Sequence, residues 1–379
     1  MFLYIFIFLV IVFLYVMNLY NPQSTKVLIA IMAFLAIFVG ISDMLGGYDR
    51  YIYAELFDQL ANRMRGGRNI FDTGLFRHYG NEFGYCFLNV GVALFSANRY
   101  IFILVATLII YTCLYFSFKR HTNNYAFAII LFLGLWFFFS FTYLRQVLAA
   151  SIAWLAIKYI SERDIKRFLI VVFIAVTFHN SAIILLPLYF IPVRPFEKKV
   201  ILIVMGVVLL LGLTDGPATL FATYGEVVED ARVQTNLADT SGFRVAYFIE
   251  AVFFLFLILT NYDLITETEE QTVMTNAAIV FCGILLFFVK SENGGRLSWF
   301  YMIGIISTLT YIATWQQRVT YHTMAIIMLS FFLYMRILTS WGVQLSPYKT
   351  FFTDGVRKGD GIYNLYEYDH HYATDKFYR

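Results

Sequence analysis

A few charged and strongly polar side chains stand inside or at the edges of long apolar runs in this 379-residue chain, and chemistry is expected there. A charge so placed is costly unless it faces a partner or a wet cavity. Two carboxylates qualify: Asp49, between Tyr48 and Arg50 after Gly46-Gly47, and Glu82, in Asn81-Glu82-Phe83-Gly84-Tyr85. Each can accept a proton or orient a hydroxyl, and each can equally cap a helix start. His179, in His179-Asn180-Ser181, can take a proton or donate to a phosphate; a structural hydrogen bond is its plainer use. Arg145-Gln146, Arg244 and Arg296, with Arg50 in reserve, carry guanidinium groups suited to hold phosphate through parallel hydrogen bonds. Snorkelling or anchoring at headgroups would use the same arginines without a substrate, and Arg296 has Glu292 near it in sequence as an ion-pair partner.

Helices must position these groups. Apolar runs, most of them near the roughly 17–24 residues that cross the hydrocarbon of a bilayer, lie near 2–20, 26–41, 85–97, 100–118, 125–143, 147–160, 168–191, 200–213, 245–260, 273–289, 297–315 and 321–338. The expected fold is an all-α polytopic transmembrane bundle of about 11–12 spans. Run 85–97 is short and suits a re-entrant segment. Run 125–160 as one helix would be roughly 54 Å long, so the chain must turn near Arg145. His179 falls near the middle of 168–191, read as one span, roughly 16 Å from its start. The polar inserts 43–84 and 214–243 are expected to be outer-face loops that cover or build a site. Short basic connections at Lys119-Arg120 and 161–167 favour the cytoplasm. Arg50, Arg63, Arg65, Arg68 and Arg77 pull the first insert inward by the same rule; it is placed outside because arginine facing phosphate is a functional alternative. The membrane domain is expected over 1–341, with 1–20 as a retained span and 342–379 as a polar, tyrosine-rich tail whose His370-His371 pair reads as solvated.

Composition agrees with a bilayer. The chain is 60% hydrophobic, 20% aromatic and only 14% charged, too apolar for a soluble domain of this length. Its net charge of +3 comes from scattered residues, which argues against a nucleic-acid partner. Cys86, Cys113 and Cys282 lie in apolar stretches without metal or redox spacing, and no P-loop, GxGxxG or HExxH motif occurs.

Taken in order, several short motifs resemble the EpsG family of exopolysaccharide and capsule proteins, related to Wzy-type polymerases. They are Gly47-Tyr48-Asp49, Asn81-Glu82-Phe83-Gly84-Tyr85, Leu144-Arg145-Gln146 with Leu148-Ala149-Ala150-Ser151, Phe178-His179-Asn180-Ser181-Ala182, Gly295-Arg296-Leu297-Ser298-Trp299-Phe300-Tyr301 and Ser346-Pro347-Tyr348-Lys349-Thr350. The resemblance implies a GT-C-like glycosyltransferase of the bacterial inner membrane that polymerises O-antigen, capsule or exopolysaccharide repeat units at the periplasmic or outer face. Donor and acceptor would both be undecaprenyl-pyrophosphate-linked oligosaccharides, with no nucleotide sugar, obligatory metal or cofactor; membrane lipid and a chain-length regulator protein would be its partners. On that expectation Tyr48, Arg50, Arg145, Gln146, Arg244 and Arg296 bind substrate, and Asp49, Glu82 or His179 accepts the proton of the attacking hydroxyl. A membrane O-acyltransferase acting on a surface polysaccharide, which could use His179, and a lipid-linked sugar flippase are the alternatives.

Overall fold

The first helix, α1 (Phe2–Met17), shows at once what solvent the chain is made for. Tyr4, Phe8, Ile11 and Tyr15 form its buried stripe, while Phe2, Phe6, Leu9 and Phe13 form an exposed one. Both follow the helical repeat, and a helix apolar on every side belongs in lipid or a large core. The chain is an integral membrane protein. The computed structural model describes residues 1–43, 48–220, 242–291, 293–316 and 318–352, with only the backbone described at Tyr48, Asn293 and Val343.

Among these residues every regular element is a helix. In chain order there follow α2 (Thr25–Gly40), α3 (Tyr48–Arg65), α4 (Gly74–Tyr79), α5 (Phe83–Ala93), α6 (Arg99–His121), α7 (Tyr125–Leu135), α8 (Phe139–Thr142) and α9 (Leu144–Trp154). Then come α10 (Lys158–Ser161), α11 (Ile165–Phe178), α12 (Pro187–Phe190), α13 (Lys198–Gly212), α14 (Val245–Thr260), α15 (Glu269–Phe287), α16 (Asn293–Ser298), α17 (Met302–Thr314), α18 (Tyr321–Ser340) and α19 (Gly342–Leu345). Caps written in the sequence set several starts. Asn98 Oδ1 accepts from the Tyr100 N–H at 2.8 Å, Asn124 Oδ1 from Phe127 N–H at 3.1 Å, and Thr268 with Gln271 closes a reciprocal capping box.

Among the described residues four helices are long and apolar enough to cross a membrane: α6, α15, the continuous run Gly294–Thr314, and α18. Shorter apolar helices occupy Phe2–Met17, Thr25–Gly40, Phe83–Ala93, Tyr125–Leu135, Asn180–Phe190 and Val245–Thr260. The expected set of unbroken spans needs correction here. Run 125–143 breaks after Leu135, and Tyr143 (φ −86°, ψ 54°) separates α8 from α9. Run 168–191 is not one helix either. Its first helix ends at Phe178, a 3-10 turn covers Asn180–Leu185, and Pro187 opens a new helix where its missing N–H costs nothing. His179 therefore stands at a helix end and not inside a continuous span.

The insert 43–84, read as a loop, is largely helical. Tyr53, Phe57, Leu60 and Ala61 are buried at helical spacing along α3, and the Asp58 carboxylate pairs with the Arg99 guanidinium at the head of α6 (Nε to Oδ2, 2.9 Å). Packing and a buried ion pair thus hold a segment whose average polarity suggests otherwise.

Contacts gather the chain into two units. The first comprises the described residues of Met1–Leu155, Leu169–Ile183 and the chain from Ala313 to Phe352; there α2 and α9 pack on α6, and α7 packs between α1 and α18. The tail enters it: Thr350 bridges Ser42, the Tyr348 hydroxyl donates to Phe38 O at 2.7 Å, and the two rings stack with centroids 4.2 Å apart. The second unit comprises Ala156–Phe168 and Ile184–Ile312, where α13 and α14 pack on α15. Gly46-Gly47, residues 221–241 of the second insert, Glu292 and the His370-His371 pair lie outside the described residues.

Candidate functional site

Glu82 occupies the N-cap position of α5, yet its side chain makes no cap bond. It turns instead to other helices. A side chain at Gly84 would collide with the Thr177 hydroxyl, so the bare glycine lets the start of α5 come against the end of α11. That approach puts Glu82 Oε1 3.4 Å from the Asn180 N–H, which it accepts, and 4.0 Å from His179 Nδ1. Its other oxygen, Oε2, accepts from Arg145 Nη1 in the first turn of α9. Sequence reading left Glu82 between cap and chemistry; the structure removes it from the cap and makes it the node between Arg145 and His179-Asn180.

Arg145 is turned inward, 8% exposed, which excludes snorkelling. Its guanidinium carbon lies 3.7 Å from the centre of the Tyr79 ring, 5.6 Å from Tyr53 and 5.9 Å from Tyr85. A desolvated arginine against aromatic faces gains cation–π attraction. Burial pushes the Tyr53 phenol above its ordinary range against the pull of Arg145, so that ring stays neutral. Arg145 Nε is buried with no hydrogen-bond partner among the described residues. Next to it, Gln146 is also buried.

His179 is the wetter member, its side chain 21% exposed against 3% for Glu82. Nδ1 accepts from the Ser181 N–H at 3.2 Å. That contact places the proton of neutral imidazole on Nε2, whereas turning Nδ1–H toward Glu82 would leave a lone pair on Nε2. The deepest titratable group in the sequence reading is thus a half-exposed group backed by a buried ion pair.

The remaining candidates are placed as follows. Asp49 is half-buried in the first turn of α3, one helical turn before Tyr53, and its N–H donates to Thr142 Oγ1 at 3.2 Å. Tyr48 begins the same helix. Arg50 is 1% exposed and donates to Val39 O (3.0 Å), Gly40 O (3.4 Å), Ser42 O (2.9 Å) and Phe141 O (3.4 Å), tying the end of α2 to α8. Burial pulls its guanidinium down to about 10, with Tyr348 and Asp43 opposing, so it stays charged at neutral pH. It closes the free carbonyls of a helix end.

The second unit carries its own cations. Arg244 precedes α14, its N–H donating to Val289 O at 2.8 Å and its guanidinium carbon 5.9 Å from the Tyr247 ring centre. A Cβ on Gly295 would lie 2.6 Å from the Tyr247 hydroxyl, so α16 approaches that ring only because residue 295 is glycine. Arg296 follows it with an exposed side chain.

Sequence reading missed Tyr79, gave Tyr85 no role of its own within the motif around Glu82, and missed Tyr247 and the Asp58–Arg99 pair. The signal for the first two was present: tyrosines three positions before and three after Glu82. Among the described residues no group of three or more His, Cys, Asp and Glu side chains could hold a metal ion.

An all-helical membrane protein with buried charge clustered at helix breaks is thereby defined. The sequence profile of the EpsG family matches residues 26–350, and the chain belongs to that family, whose members are Wzy-type polysaccharide polymerase-like proteins. No curated protein and no solved structure gives a match. Membership places the chain with the glycosyltransferase-like polymerases of polysaccharide biosynthesis.

Proposed function

We propose that the protein joins undecaprenyl-pyrophosphate-linked oligosaccharide repeat units into O-antigen, capsule or exopolysaccharide at the outer face of the bacterial inner membrane, through a GT-C-like fold. The observation that carries this reading is the Arg145–Glu82 pair, buried among tyrosines beside His179, with Arg145 Nε unmatched. A buried guanidinium with an orphan donor suits an anionic oxygen.

In the proposed reaction a sugar hydroxyl of one lipid-linked repeat attacks the anomeric carbon of the growing chain. The new glycosidic C–O bond forms as the bond to pyrophosphate breaks, and the lipid pyrophosphate leaves with the electron pair. Arg145 stabilises that charge in a water-poor setting. His179 Nε2 takes the proton in the tautomer whose Nδ1–H faces Glu82, an arrangement needing the present 4.0 Å to close by about 1 Å. Glu82 is then the orienting carboxylate rather than the base, much as the acid of a catalytic triad holds its histidine. Asp49, Tyr48 and Gln146 are assigned to sugar binding, and Arg244 and Arg296, in the second unit, are kept as candidates for binding phosphate. Arg50 is left out of the binding set because four backbone carbonyls hold its Nη1 and Nη2, although its Nε, like that of Arg145, is buried without a hydrogen-bond partner among the described residues.

Lipid extracts of a deletion strain test the assignment. Single repeats accumulating on carrier lipid support polymerisation. Loss of acetyl groups with unchanged polymer length would point to an acyltransferase, and substrate held on the inner leaflet to a flippase.

A further inference from the structure

The far end of the first insert carries a feature that the proposed chemistry does not use. Where α3 runs out and turns through the 3-10 element Ile70–Asp72 into α4, Arg65, Arg68 and Arg77 are exposed, and no ion pair occupies them among the described residues. Arg63 is partly neutralised by Asp72 at 3.9 Å. Within this basic rim sits an aromatic pair: Phe71, 63% exposed, meets Phe76 edge-on with ring centroids 5.0 Å apart. An exposed phenylalanine on a polar helical hairpin is out of place in water, and arginines around it are out of place in hydrocarbon. Together they match one environment, the boundary between anionic headgroups and acyl chains.

We propose that this tip, through Phe71 and the exposed Arg65, Arg68 and Arg77, docks on anionic lipid headgroups of the membrane in which the protein stands. The charge complementarity fixes the partner. The same arginines are the ones that conflict with the positive-inside rule if the insert faces outward, and lipid binding gives them a use on either face. Nothing in this inference depends on the polymerase reading.

The test uses the full chain in nanodiscs. Cys86 and Cys282 are buried and Cys113 is half-buried, so a Cys113→Ala background with Phe71→Cys carries one environment-sensitive apolar fluorophore at the tip. In phosphatidylglycerol-containing discs the emission is expected to shift to the blue and brighten, and to return toward the aqueous spectrum in high salt. Discs of phosphatidylcholine alone should give the aqueous spectrum, as should an Arg65→Gln/Arg68→Gln/Arg77→Gln variant in either lipid. The shift is read first with all arginines intact, so the answer does not depend on how that variant folds. Identical spectra in the two lipids would overturn the proposal. So would a blue shift produced only by a soluble anionic polysaccharide, which would make the tip a polymer-binding surface instead.

Discussion

Glu82 and Arg145 lie 63 positions apart in sequence and face each other inside the first unit, with the Tyr79 ring 3.7 Å from the guanidinium carbon. Removing one partner of a buried pair leaves the other charge unmatched, at a cost of about 3–5 kcal/mol. Glu82→Ala should therefore lower thermal stability in detergent by that order and abolish polymer. Glu82→Gln, which can still accept from Arg145, should stay closer to wild type in stability while polymer is lost. Wild-type polymer from a folded Glu82→Gln protein would remove Glu82 from the mechanism.

Tyr79 tests the aromatic part of the cage. Cation–π attraction needs the ring and not the hydroxyl, and when desolvated it contributes about 2 kcal/mol. Tyr79→Phe should keep polymer length, and Tyr79→Leu should shorten polymer at similar expression. Equal polymer from the two variants would mean that the ring merely fills space.

Gly295 and Tyr247 form a second, independent test. A methyl at residue 295 would stand 2.6 Å from the Tyr247 hydroxyl and 3.1 Å from its Cζ. Gly295→Ala must move the ring beside Arg244, with an overpacking cost of about 1–3 kcal/mol. Polymer synthesis should fall, and adding Tyr247→Phe, which removes the nearer atom, should restore part of it. A double variant no better than Gly295→Ala alone would show that displacement of Tyr247 is not the cause.

Asp58 and Arg99 supply a structural control. Their pair joins α3 to α6, and neither residue is assigned to the reaction. Asp58→Ala should cost about 3–5 kcal/mol, whereas an apolar pair, Asp58→Leu with Arg99→Met, should recover much of it. Polymer made per folded molecule should remain near wild type in the double variant. A selective loss of activity there would give this pair a role in the reaction.

The membrane character, the helical class and the candidacy of Glu82, Arg145 and His179 were legible because a charge in an oily run is costly and so stands out. What stayed hidden was where runs break. Apolar length alone cannot separate one helix over 168–191 from the helix end at Phe178, the turn at Asn180–Leu185 and the restart at Pro187 that the fold contains. Arg50 looked like a phosphate ligand for the same reason that it is buried: strong donors suit carbonyls at a helix end as well as they suit oxyanions. The tail around Tyr348 showed no periodicity because it is held by hydrogen bonds to α2 and a stacked ring, not by a helix of its own.

The most direct measurement uses the purified protein in nanodiscs with lipid-pyrophosphate-linked repeat units, following glycan length and released lipid pyrophosphate together. Wild type should give a ladder of repeats with one lipid pyrophosphate released per linkage. A folded His179→Asn protein should be slower by about 10²–10⁴-fold, the usual weight of a general base. A wild-type protein that makes no ladder from competent substrate, or a His179→Asn protein that works at the wild-type rate, would contradict the account.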